Sequence, residues 1–115
     1  MVDRTPAHLT DMLQFVRELR SLVNGLTATE FAGNRILCLA VEKLFINLGE
    51  AAYRVGDQRA GEMPDISWRR IIGLRNLLAH GYEQVAHEVL FKTIADDLPA
   101  LESVLARRVA GLDPA

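Results

Sequence analysis

Leu37-Cys-Leu-Ala-Val-Glu-Lys-Leu-Phe-Ile-Asn-Leu-Gly-Glu-Ala-Ala-Tyr-Arg-Val55 decides the fold. Leu37, Val41, Leu44, Leu48, Ala51 and Val55 recur at an alternating four-three spacing. That spacing makes one face of an α-helix and excludes a strand, whose side chains alternate with period two. Ile36, Leu39, Ile46 and Tyr53 fall roughly opposite, at about 100° per residue, so the helix has more apolar surface than one neighbour covers. It is either central in a bundle or also the face of a dimer. Just upstream, Thr27-Ala-Thr-Glu30 is a capping box, in which hydroxyl and carboxylate each satisfy an orphan backbone N–H. The pattern therefore predicts one helix from Thr27 to about Val55, stopped by Gly56.

Three more helices are read on either side. Thr5-Pro6 reads as an N-cap with proline at the first helical position, followed by Leu9, Leu13, Val16, Leu19 and Val23 at helical spacing and a stop at Asn24-Gly25. Gly56 to Pro64 is rich in turn formers and charge and is expected to be a surface connection. A third helix starts near Asp65 or Ser67, runs through Trp68, Ile71, Ile72, Leu74 and Leu78, and ends around Gly81. A fourth helical region turns Val85, Val89, Ile94, Leu98, Leu101, Leu105 and Val109 inward, with a kink near Asp96 or Asp97 ahead of Pro99. No segment alternates with period two long enough for a strand, and no internal repeat occurs. The expectation is all-α: one domain over residues 1–115, an antiparallel four-helix bundle with a kinked C-terminal helix.

Composition narrows the function classes. A chain of 115 residues, half of them apolar and a quarter charged, closes one core. Charge interrupts every apolar run well before the roughly 20 residues that span a bilayer, and the amino terminus lacks an apolar signal core, so a cytoplasmic protein is expected. The single cysteine, Cys38, forms no internal disulfide and has no His or Cys at metal-ligand spacing, which makes it a small apolar filler. With 13 Lys and Arg against 15 Asp and Glu, the net charge is −2 and the molecule as a whole does not attract nucleic acid.

One local excess of positive charge stands out. Arg69, Arg70, Arg75 and His80 fall within twelve residues that contain no acid. On a wheel of about 100° per residue, Trp68, Ile71, Ile72, Leu78, Ala79 and Tyr82 flank Arg75, while Arg69, Asn76 and His80 share the adjoining side. Arg75 is thus a cation in an apolar stripe. A guanidinium there does not shed its proton, so it needs an anion, a set of acceptors or a wet cleft. It either braces two helices by pairing with Glu50 or Glu42, or is kept at a cleft for a phosphate. Asn76 is placed, at four residues, to touch His80 and orient its imidazole. His8 and His87 have no such neighbours and read as surface residues.

Together these residues spell Arg-x4-His-x-Tyr, Arg75 to His80 to Tyr82. The stretch resembles the signature of the HEPN ribonucleases, and its setting resembles the HepT-like branch. Gly49-Glu50-Ala51-Ala52, Pro64-Asp-Ile-Ser-Trp68, Gly73-Leu-Arg75-Asn76 and Asp97-Leu98-Pro99 stand in that branch's order. The resemblance implies a toxin that cleaves RNA without a metal, with Arg75 and His80 catalytic; Asn76 and Arg69, on the flank of His80, are read as supporting. It implies a homodimer with both motifs at one cleft. It also implies an MntA-like nucleotidyltransferase antitoxin that transfers AMP from ATP to Tyr82. No cofactor is expected, since ATP serves only as the partner's AMP donor.

The residue types suit that chemistry. When a ribose 2′-hydroxyl attacks the adjacent phosphorus, the site needs a proton acceptor and a cation for the charge growing on phosphate oxygens. An imidazole titrates near neutral pH, and a guanidinium grips two phosphate oxygens at once. On one helix Arg75 and His80 are about 140° and roughly 7.5 Å apart, so pairing across a two-fold axis is expected. Two other readings stay open. One is a non-catalytic helical adaptor that binds a nucleotide or a nucleotidyltransferase, and the other is a purely structural dimer in which Arg75 pairs with a carboxylate.

Overall fold

The second predicted helix exists, but in two pieces. In a computed structural model describing residues 2–80 and 85–112, α2 (Ala28–Ala32) begins with the expected Thr27 capping box and ends at Gly33. After this break α3 (Arg35–Val55) starts afresh, with the Asn34 side chain accepting from the Leu37 N–H at 3.0 Å. Asn34 gives the chain a new N-cap where the pattern predicted a continuous helix, because apolar periodicity does not register a cap. With the break, Phe31 is fully buried against His87 and Phe91. The Cys38 thiol donates to the Phe31 carbonyl at 3.2 Å. Burial pushes the Cys38 thiol up, away from the thiolate, as suits a core filler.

The remaining helices are α1 (Thr5–Val23), α4 (Asp57–Gly61), α5 (Trp68–His80), α6 (His87–Asp96) and α7 (Leu98–Ala110). With α2 and α3 they make an all-α bundle, with no strand among the described residues. Helix α1 begins at Thr5 itself, and the Thr5 N–H donates to the Asp3 carboxylate at 2.9 Å. That bond, helped by Arg59, holds the Asp3 carboxyl below its ordinary range. Helix α1 packs between α3 and α7 and buries Leu9, Met12, Leu13, Val16, Leu19 and Val23. On α3 the buried line is Cys38, Val41, Phe45, Leu48, Ala51, Ala52 and Val55; Leu37 and Leu44 of the expected seam are half-buried. All side chains buried among the described residues are apolar.

The connection after Gly56 is more ordered than its composition suggests. It holds the short α4, and Met63 and Ile66 plug the core. The Trp68 indole N–H donates to the Met63 carbonyl at 3.0 Å, tying the start of α5 to that plug. The fourth region breaks at Asp97, as Pro99 required, with Pro99 accommodated in the first turn of α7. Leu90 and Ile94 of α6 face inward, but Val89 is exposed, since it sits about 100° off their line. Phe91 packs against Phe31 with ring centroids 5.8 Å apart. His87 is exposed as expected and meets Phe31 edge-on at 6.2 Å. The expected helix end at Gly81 lies outside the described residues.

Ion pairs across helices set how the pieces sit. Glu102 of α7 receives Arg20 of α1 at 2.8 Å and Arg17 at 3.6 Å. Arg108 of α7 holds Asp65, ahead of α5, at 2.8 Å, and Arg70 of α5 holds Asp97 at 2.9 Å. These pairs are exposed and each contributes at most about 1 kcal/mol, so the apolar core carries the stability and the pairs select the arrangement. If Asn34 caps α3, Asn34→Ala should lower the unfolding free energy by about 0.5–2 kcal/mol while Asn34→Asp keeps most of it. Urea denaturation of the two variants measures this, and an alanine variant as stable as the parent would show that the cap does not form.

Candidate functional site

Helix α5 places the cationic residues, and it does so from an unusual position. None of its residues is fully buried, and α3 is the helix it packs against most extensively. Arg75 lies on the α3 side, as the wheel reading required, half-buried at 32% side-chain exposure. Its Nη2 donates to Glu50 Oε2 at 2.8 Å, and its Nη1 donates to Asn76 Oδ1 at 2.9 Å. Of the two acids named from sequence, Glu50 is the partner. The other Glu50 oxygen faces Arg54 Nη2 at 3.4 Å, one turn further along α3. A single carboxylate thus lies between two guanidinium groups, leaving an excess of one positive charge.

Arg54 was not anticipated. Its signal was the Glu50-to-Arg54 spacing of four on an exposed helix face, where opposite charges meet. Arg75 Nε is buried with no hydrogen-bond partner. The guanidinium is therefore held at one end, by an acid and an amide, while a third of the side chain stays open to solvent. That is a geometry in which a second anion can add.

His80 is the last residue of α5 and is exposed. Asn76 is exposed too, but turns its amide oxygen to Arg75 rather than to His80. Arg69 is exposed on a different part of the helix, about 9 Å of rise before Arg75. It lines a hollow of about 440 Å³ with Arg70, Asp97, Leu74, Leu77 and Leu101. Tyr82 lies outside the described residues. The structure thus gathers Arg75, Asn76, Glu50 and Arg54, sets His80 about one and a half turns further on, and leaves Arg69 apart. Among the described residues, no group of three or more His, Cys, Asp or Glu side chains is placed to hold a metal ion. No helix of the described residues is long and apolar enough to cross a membrane.

Known proteins resemble this one over most of its length, the helix with Arg75 and His80 included. The model of the family described as "Ribonuclease HepT-like" matches residues 12–108. The chain belongs to the HepT-like ribonuclease family. Among individual relatives, "Putative RNase MJ1380" of Methanocaldococcus jannaschii is 26% identical over 84% of this chain and 88% of its own length. "Probable ribonuclease HepT" of Thermococcus cleftensis is 25% identical over 83% and 86%. No solved structure matches closely enough to add to these.

The Glu50–Arg75 pair is half-buried, between the weak surface case and the costly interior one. A double-mutant cycle with Glu50→Gln and Arg75→Gln should return a coupling of about 1 kcal/mol in unfolding free energy. Additive effects of the two changes would mean that the pair is not formed in solution.

Proposed function

We propose that this HepT-like chain is a toxin that cleaves RNA, and that it works as a homodimer. The observation that carries the reading is Arg75: a guanidinium held by Glu50 and Asn76 while a third of the side chain stays open to solvent, on the helix whose exposed end carries His80. The names of its relatives as RNases and the family match support the same activity.

In the proposed reaction the RNA phosphate docks on the solvent-exposed part of Arg75. The ribose 2′-hydroxyl gives its proton to an imidazole of His80 and attacks phosphorus, and the 5′-oxygen leaves with a proton returned to it. Arg75 counters the charge that grows on the phosphate oxygens, so its contribution is greatest in the transition state. No metal is needed for these steps. Because Arg75 and His80 of one helix diverge around its axis, each would act with its counterpart from a second copy. The uncovered apolar face of α3, with Ile36, Leu39 and Tyr53 exposed, supports a dimer.

The proposed antitoxin is an MntA-like nucleotidyltransferase. It would join the Tyr82 hydroxyl oxygen to the α-phosphorus of ATP, releasing pyrophosphate. The resulting phosphodiester and its adenosine would compete with RNA for Arg75 and for space. The purely structural reading is favoured by one observation, that Arg75 already has an acid partner, and His80 separates it from the catalytic one. On the catalytic reading His80→Ala keeps its fold and dimerisation but loses about 10²–10⁴-fold in RNA cleavage. Cleavage by that variant at the parental rate would show that His80 is not the proton acceptor, and no cleavage by the parent protein would leave the non-catalytic readings. Tyr82→Phe should still cleave RNA and should gain no AMP mass when incubated with the partner and ATP. An AMP adduct on that variant would move the modification elsewhere.

A further inference from the structure

Gly49 sits in the middle of α3, where a glycine costs about 1 kcal/mol relative to alanine. It is fully buried, and nothing in its helical backbone asks for glycine, because its φ is not positive. The reason lies across the interface. A Cβ added at Gly49 would overlap Arg75 Cβ, would come within 2.7 Å of Arg75 Cγ and would reach 3.1 Å from the Ile71 carbonyl oxygen. The stem of Arg75 therefore lies in the space that any other residue at 49 would fill. Gly73, the other glycine inside a long helix among the described residues, has nothing within 4 Å of the same hypothetical atom.

We infer that Gly49 is a positioning residue for Arg75: the missing side chain is the seat in which the arginine stem lies. The inference rests on the cleavage reading above and names the element that aims its cation. With the stem seated on Gly49, the guanidinium comes out beside residue 50, where Glu50 Oε2 stands 2.8 Å from Nη2. Nε of the same side chain is buried and unpartnered, as a stem lying in such a seat would leave it. Seat and clamp are adjacent residues of one rigid helix, so their spacing does not drift. The guanidinium is aimed before any phosphate arrives, and its ordering costs nothing at the moment of reaction. A bulkier residue at 49 would lift α5 away from α3 and carry Arg75 off Glu50.

The test is a double-mutant cycle between Gly49→Ala and Arg75→Gly, read in RNA cleavage and in thermal melting, with Gly73→Ala as a melting control. Gly49→Ala should lower kcat about a hundredfold with KM little changed, the mark of a misaimed group rather than lost binding. It should lower the melting temperature, although the same substitution at Gly73 should leave it unchanged or raise it. In the Arg75→Gly background, where no stem occupies the seat, adding Gly49→Ala should cost neither further activity nor melting temperature. Added guanidinium should restore cleavage equally to Arg75→Gly and to the double variant. Equal losses from Gly49→Ala in both backgrounds would overturn the inference, because the glycine would then serve backbone packing alone. Full activity and melting temperature in Gly49→Ala would overturn it as well. If the parent protein cleaves no RNA, the cleavage reading fails, and the melting cycle still decides whether Gly49 seats Arg75.

Discussion

Everything that distinguishes this bundle from an ordinary one depends on how close α5 lies to α3. Helix α5 has no fully buried residue of its own, so its place is not set by a deep apolar anchor. It is set by half-buried Trp68, Ile71, Ile72, Leu74 and Leu78 packed on the core, by a close crossing over Gly49, by the Trp68–Met63 hydrogen bond at its start and by two ion pairs, Arg70–Asp97 and Arg75–Glu50. A helix held this way presents one face to the protein and the other to solvent. Arg75, at its boundary, is neither core nor free surface.

That boundary position reconciles two demands on Arg75. A fully buried guanidinium needs complete pairing and is then unavailable, whereas a fully exposed one is screened and mobile. Here the stem is packed, the two Nη groups are engaged by Asn76 and Glu50, and a third of the side chain is open to solvent. The clamp is itself shared, since Glu50 also faces Arg54, so one carboxylate does not neutralise the site. The bracing arginine and the phosphate-receiving arginine, alternatives when only the sequence is considered, are compatible in one residue.

The remaining surface follows the same logic of partly used helices. The α3 face that carries Ile36, Leu39 and Tyr53 is left uncovered by this chain, while its other sides pack on α1 and α5. Where the core is deep, around Phe31, Leu48, Leu90 and Leu105, no polar group intrudes among the described residues. The chain therefore separates a dry interior, made by α1, α3, α6 and α7, from a half-wet seam between α3 and α5.

Much of this was legible in the sequence, because periodicity and caps are local physics. The four helical regions, the stop at Gly56, the break before Pro99 and the inward line of α1 follow from spacing and from turn chemistry that act within a few residues. So does the placement of Arg75 on an apolar face, and Glu50 could be named as its possible partner. What periodicity missed were features that exist only when distant segments meet. The Gly33-Asn34 break lets Phe31 turn beneath α6, Met63 and Ile66 become core although they lie in a charged connection, and Val89 is left outside. Asn76 is equally able to face His80 or Arg75 along its own helix, and the clamp on Arg75 takes its amide. The choice of Glu50 over Glu42, the part played by Arg54 and the reason for a glycine at position 49 all depend on where one helix crosses another. That crossing is a property of packed surfaces, and no local pattern along the chain encodes it.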